Sequence, residues 1–314
     1  MKKQYIISIA IISLILFSII SCEKDITVEL PRPDEKLTIE GTIELNEYPI
    51  VFLSKNQAYF DAVDTTYVND LLINEDVATV IVSYNGTHDT LTQQYVPRWP
   101  YYAFVGSKFQ GQLNSSYELK VIYNGKEYTS TTNILDTVAI DSVGFDVLGD
   151  LDSIGFITVR WQDPASIGDY YSLYTKHVGV QEWFYRPFFS THVSDDKLLN
   201  GDAFEFYPVT RGYERNDYYN DFDDPNDTTS SFLDQVAYKI GDTVTVKLAK
   251  IDENSYQFWN SWYRNMMTEG NPFTNPASVK TNIIGENVNG FWIGRASYNC
   301  TFYIVDSANV EILN

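Results

Sequence analysis

One cysteine near the start of the chain carries the most specific chemistry in the sequence. Ile19-Ile20-Ser21-Cys22 closes an apolar run from Tyr5 to Ile20 that opens on Met1-Lys2-Lys3. A basic start, a short apolar stretch and a small residue before the cut describe a secretory signal. A cysteine immediately after the cut turns that signal into a lipobox. The Cys22 thiol is the nucleophile that takes a diacylglyceryl group before cleavage, so it is the predicted lipidation site and the link to the bilayer. The apolar run is short for a stable membrane span. Cys300, in Tyr298-Asn299-Cys300-Thr301-Phe302-Tyr303, is the other cysteine and reads as a small buried residue of a strand.

Other residue types that do chemistry lack the required spacing. Asp221-Phe222-Asp223-Asp224-Pro225-Asn226-Asp227 concentrates carboxylates, which suit calcium when they converge. An EF-hand register from Asp221 fails, because its fifth position is Pro225, its sixth Asn226 and its twelfth Phe232. Asp221, Asp223, Asp224 and Asp227 are therefore weak metal candidates, and a solvated acidic loop is the default. His88, His177 and His192 form no zinc motif, and neither a Gly-x-Ser-x-Gly elbow nor a phosphate loop is present. Two carboxylates suffice for a glycosidase, but nothing singles out a pair. The expectation is a protein that is not an enzyme and carries no cofactor.

The rest of the chain must supply a frame. Removing residues 1–21 leaves residues 22–314, enough for two domains with their own cores. With 22 basic and 42 acidic residues, the net charge of −20 excludes binding to nucleic-acid phosphates by electrostatics. Tyr 24, Phe 18 and Thr-rich alternation favour strands. Leu37, Ile39, Gly41 and Ile43 alternate with polar residues, as do Ala78 to Tyr84 and Tyr117 to Tyr123. The last two end at Asn85-Gly86 and Asn124-Gly125, which predict hairpins returning over His88–Tyr95 and Lys126–Thr132.

The pattern lapses around Asn133–Asp141 and then resumes. Strands are predicted over 154–161, 170–178, 243–248, 291–298 and 301–305, with Trp161-Gln162-Asp163-Pro164 ending its strand as in a fibronectin-like module. Asp252 can cap a helix in which Tyr256, Trp259, Trp262, Tyr263, Met266 and Met267 form a stripe that packs on a sheet. The predicted class is mainly β: two β-sandwich domains of immunoglobulin/fibronectin-like type in tandem, with one amphipathic helix in the second. The divisions are a signal (1–21), lipidated Cys and tether (22–36), a first sandwich (37–135) and a second (136–314). An irregular acidic and aromatic insertion interrupts the second at about 180–235. Trp183, Phe184, Tyr185, Tyr218 and Tyr219 in that insertion are the candidate ligand or partner contacts.

Several segments together carry a resemblance. They are the lipobox, Leu37–Thr42, Ala78–Tyr84, Tyr117–Tyr128, Trp161–Pro164, Gly241–Asp252, Asn282-Ile283-Ile284-Gly285 and Gly290-Phe291-Trp292. The chain resembles Bacteroidota-type outer-membrane lipoproteins of unknown function whose genes lie beside TonB-dependent receptors. Glu23-Lys24-Asp25 behind Cys22 resembles the surface-export signal of such lipoproteins, and five Asp-Ser or Asp-Thr triplets such as Asp136-Thr137-Val138 resemble their O-glycosylation site, although turns favour the same pairs. The departure is Glu286-Asn287-Val288-Asn289, where a plainer glycine-rich end is expected. The resemblance implies an outer-membrane, lipid-anchored and surface-exposed protein that serves a TonB-dependent receptor as an accessory in nutrient uptake. The alternative is a free-standing cell-surface glycan-binding protein or glycan hydrolase.

Overall fold

Seventeen residues near the C-terminus, Val288–Ile304, form one strand that organises the fold. Side chains of a strand alternate between faces, and here Val288, Trp292 and Ala296 enter one buried cluster while Cys300, Phe302 and Ile304 enter a second. All six share one parity and thus one face. The computed structural model describes residues 36–56, 71–97, 101–149, 153–188, 191–198, 200–212, 236–268 and 278–313. They belong to one compact unit, Glu35–Asn314.

In chain order the strands are β1 (Leu37–Glu44), β2 (Ile50–Lys55), β3 (Ala78–Tyr84), β4 (Thr87–Thr90), β5 (Thr92–Tyr95) and β6 (Tyr102–Val105). Next come β7 (Ser115–Tyr123), β8 (Lys126–Ile134), β9 (Ser142–Val147), β10 (Ile154–Gln162), β11 (Tyr170–His177), β12 (Val193–Asp195) and β13 (Ala203–Val209). The last stretch holds β14 (Tyr238–Lys239), β15 (Thr243–Ile251), helix α1 (Glu253–Thr268), β16 (Val288–Ile304) and β17 (Val310–Ile312). A nine-stranded sheet runs β12-β11-β15-β16-β1-β2-β6-β5, with β17 also on β16. Two four-stranded sheets, β4-β3-β7-β8 and β13-β10-β14 with β9, cover neighbouring halves of its front face.

The mainly β class, the sandwich layering and one long helix among the described residues agree with the sequence. The tandem division at 135/136 needs correction. β16 pairs β1 in parallel over Leu37–Glu44 and β15 antiparallel over Thr243–Lys250, so one sheet spans both halves. Ile283, Val288, Trp292 and Ala296 return to the core of the first half. Residues 291–298 and 301–305 are likewise one strand, because polar Asn299 lies on an exposed position without breaking the ladder.

Two further strand expectations change. The arm expected over His88–Tyr95 divides at buried Leu91: β4 pairs β3 in the small sheet, whereas β5 pairs β6 in the large one. Part of the 180–235 insertion is regular, since β12 edges the large sheet and β13 buries Phe204, Phe206 and Val209. Trp161 stacks on Phe204 at 4.8 Å and is fully buried, as the fibronectin-like reading expects. Cys300 is buried in the same core, which pushes its thiol pKa up.

Helix α1 starts where the sequence predicts. Asp252 Oδ1 accepts from Ser255 N at 2.9 Å, a standard N-cap, while Oδ2 accepts from Thr132 Oγ1 at 2.7 Å and Asn133 N at 3.1 Å. One carboxylate thus starts the helix and ties it to the end of β8. Tyr256, Phe258 and Trp259 pack with Phe291 and Ile293 on the back of the large sheet; Met266 and Met267 point outward. No helix among the described residues is long and apolar enough to cross a membrane.

Candidate functional site

The back face of the large sheet gathers charge beside the helix. Glu44 and Arg295 are register partners on β1 and β16, and Arg295 Nη2 lies 2.8 Å from Glu44 Oε1. Lys247 Nζ, on β15, lies 2.9 Å from Glu44 Oε2. Burial works against the Glu44 carboxylate, but Arg295 and Lys247 together hold its pKa below the ordinary 4.5. Burial lowers the Lys247 pKa despite the pull of Glu44. Burial opposes the Arg295 charge too, yet Glu44 raises its pKa. One carboxylate therefore serves two cations.

Aromatic rings wall this cluster. The Arg295 guanidinium stands 5.1 Å from the Tyr174 ring, and Lys247 Nζ stands 4.3 Å from the Phe184 ring. Arg186 lies over Trp262 at 4.0 Å and Trp259 at 4.9 Å. Such contacts favour a cation over the π-face of a ring. His192 is buried against Trp259 and Tyr174; burial, then Arg186 and Arg295, hold its pKa well below the ordinary value, so it is neutral. The result is an aromatic and cationic wall on a strongly acidic chain.

Phe184 is brought to this wall by the segment that holds Tyr185. Tyr185 exchanges backbone hydrogen bonds with Thr175, each at 2.8 Å, which lays its segment along β11. Trp183 is half-buried. Tyr218, Tyr219, the metal candidates Asp221, Asp223, Asp224 and Asp227, and Cys22 lie outside the described residues. Sequence reasoning missed Glu44, Lys247, Arg186 and Arg295. The readable signal was Arg295, a lone charge inside the apolar run Gly290–Ala296, which requires a partner when buried.

The Asn282 and Gly290 segments are joined by the fold. Asn282 Nδ2 donates to Trp292 O at 2.8 Å, and its Oδ1 accepts from Trp292 N at 2.9 Å. Thr281 Oγ1 donates to Gly290 O, and Ile284 exchanges backbone bonds with Thr129. Trp292 itself is fully buried and donates Nε1–H to Tyr117 O at 3.0 Å. In the departing segment, Asn287 takes a left-handed φ of 52° and its carbonyl accepts from Leu37 N. Asparagine tolerates that conformation, so no glycine is needed there. These residues hold β16 against β1, and with it Arg295 against Glu44.

A family described as a domain of unknown function (DUF4249) matches residues 23–297. The chain belongs to the DUF4249 family. The match starts one residue after Cys22 and ends within β16, so it includes both partners of the Glu44–Arg295 pair. The comparison with curated proteins returns no match. For this DUF4249 member, one group of acidic side chains among the described residues has metal-ligand spacing: Asp163, Asp169 and Asp196, at the β12 edge of the sheet.

Proposed function

We propose that this protein is an outer-membrane lipoprotein, anchored through acylated Cys22 and exposed at the cell surface, that serves a TonB-dependent receptor as a binding accessory. The observation that carries this reading is the lipobox, with the family match beginning directly behind it at residue 23. That arrangement suits a leader followed by a tethered β-rich domain. In this reading the acyl chains supply the anchor, and a triacylated cysteine holds stably where a single chain would not. The aromatic and cationic wall around Phe184 and Lys247 has the composition that ligand and partner surfaces favour.

Gentle detergent extraction of the tagged, lipidated protein from its native membrane tests this. The expected result is recovery of a stoichiometric TonB-dependent barrel, together with a mass that places acyl chains on Cys22. Recovery of the lipoprotein alone, repeated after crosslinking, would overturn the partnership. An unmodified cysteine would overturn the anchor.

A separate observation favours glycan binding as the second reading. Tyr95 and Tyr101 present nearly parallel rings, 4° apart in plane and 6.3 Å between centroids, with Tyr102 edge-on to Tyr95 at 6.0 Å. All three are exposed, at 65%, 49% and 50%. Tyr101 also has a φ of 69°, which costs a bulky residue on the order of 1–3 kcal/mol and recurs at ligand sites. Flat exposed rings suit the apolar faces of sugars. On this reading, Tyr95→Ala with Tyr101→Ala weakens binding to glycans on an array by at least about tenfold, since each ring contact contributes roughly 1 kcal/mol. The thermal midpoint stays within a few degrees. A wild-type protein that binds no glycan removes this reading.

A further inference from the structure

Asp163, Asp169 and Asp196 come from three separate segments. Asp163 follows β10, Asp169 precedes β11 and Asp196 follows β12. Each offers a carboxylate oxygen within 4.8 Å of the others, and the residues are only 2%, 7% and 1% exposed. Three buried carboxylates this close repel one another unless positive charge lies among them. Lys250 supplies one charge, with Nζ 2.6 Å from Asp169 Oδ1. Three acidic groups against one ammonium leave an excess equal to two negative charges.

Neutral donors satisfy part of the cluster. The Tyr171 hydroxyl donates to Asp163 Oδ1, and Gly201 N donates to its Oδ2 at 2.9 Å. Ser166 Oγ donates to Asp169 Oδ2 at 2.9 Å, and Gly168 N to Asp196 Oδ2 at 2.8 Å. Asp196 Oδ1 is different. It is buried with no hydrogen-bond partner, within the same cluster. A buried carboxylate oxygen without a partner has given up water and gained nothing in return, so such atoms call for a ligand.

We propose that Asp163, Asp169 and Asp196 form a site for a hard divalent cation of calcium's size, with Asp196 Oδ1 as a direct ligand. Only oxygens converge here, which selects against zinc and the softer metals. Ligands at 2.3–2.6 Å from a central calcium lie up to about 5 Å apart, which accommodates the observed spacing. The cation matches the excess of two charges and supplies the partner Asp196 Oδ1 lacks. It also ties the β10–β11 connection to the edge strand β12. Tyr171 and Lys250 are cross-strand partners on β11 and β15, so the sheet places both the phenol and the ammonium at this end of the second core.

The test uses the full-length protein in detergent, stripped with EDTA. Calcium at about a hundredfold excess over its dissociation constant is expected to raise the thermal midpoint by about 5 °C, reversibly on adding chelator. Asp196→Asn keeps the shape, removes a charge and is expected to abolish the response. An unchanged midpoint for wild type in calcium overturns the proposal. So does a full calcium response in Asp196→Asn. Should that variant fail to fold, a second variant decides. Neutralising Asp221, Asp223, Asp224 and Asp227 to asparagine leaves the response intact if the buried triad is the site, and removes it if the acidic run binds the ion instead.

Discussion

Gly290→Ala is expected to lower the thermal midpoint by about 10 °C or more, or to prevent folding. Gly290 faces Ile39 across the parallel β1–β16 pair. A Cβ at this position would lie 1.9 Å from the Ile39 carbonyl oxygen, and the residue's φ is +115°. The clash is with backbone, so no rotamer change relieves it; β1 and β16 must part. Backbone conformation of this kind costs an L-residue on the order of 1–3 kcal/mol, and overpacking adds a similar amount. A total of about 2–6 kcal/mol, at roughly 2–4 °C per kcal/mol for a unit of this size, sets the expected shift. Gly86→Ala is the control. Gly86 also has a positive φ, +77°, but nothing lies within 4 Å of its would-be Cβ, so it carries the conformational cost alone. Chemical denaturation of both variants separates the two contributions. Equal losses would mean that β1 does not press on Gly290 as described.

Much of this frame was readable because alternation reports local geometry. Leu37, Ile39 and Ile43 turn inward as their period demands, and the Asn-Gly hairpins close at Asn85 and Asn124, both with positive φ. Asp252 caps its helix from the predicted position. Pairing over long sequence separation left no such trace. The partner of β1 was hidden because β16 lies some 250 residues downstream and an apolar run does not state which core it enters. The sharing of one sheet by both halves follows from that pairing, and so does the failure of a boundary at 135/136. The candidate site was legible only in part. Phe184 and Tyr185 stood out as aromatics in an irregular segment, but the charges of the site, Glu44 on β1, Lys247 on β15 and Arg295 on β16, are scattered along the chain and looked like ordinary strand-surface charges. The acidic run at 221–227 drew attention by local density, whereas Asp163, Asp169 and Asp196 converge only in three dimensions.

Glu44→Gln is expected to cost about 3 kcal/mol at neutral pH, and nearly nothing in acid. Among the described residues Glu44 is the carboxylate paired with both Lys247 and Arg295, whose side chains are each 14% exposed. Removing one partner of a buried ion pair typically costs 3–5 kcal/mol, because the charge left behind has lost its counter-ion. The low end applies here, since both cations retain some solvent. The pH dependence fixes the cause. The folded-state pKa of Glu44 lies below the ordinary 4.5, so its stabilisation is fully present above that value. It is lost as pH falls through the depressed folded value, where the folded protein must take up the proton as well. A protonated Glu44 resembles glutamine, so the stability curves of wild type and variant converge as acid is added. Arg295→Met provides the complementary arm: it leaves Lys247 and Glu44 as a balanced pair and is expected to cost less than Glu44→Gln at pH 7. Denaturation midpoints for the three proteins between pH 7 and pH 3 decide the matter. Parallel curves would show that the carboxylate packs without pairing; convergence shows that its charge holds the two cations, and through them β15 and β16, against β1.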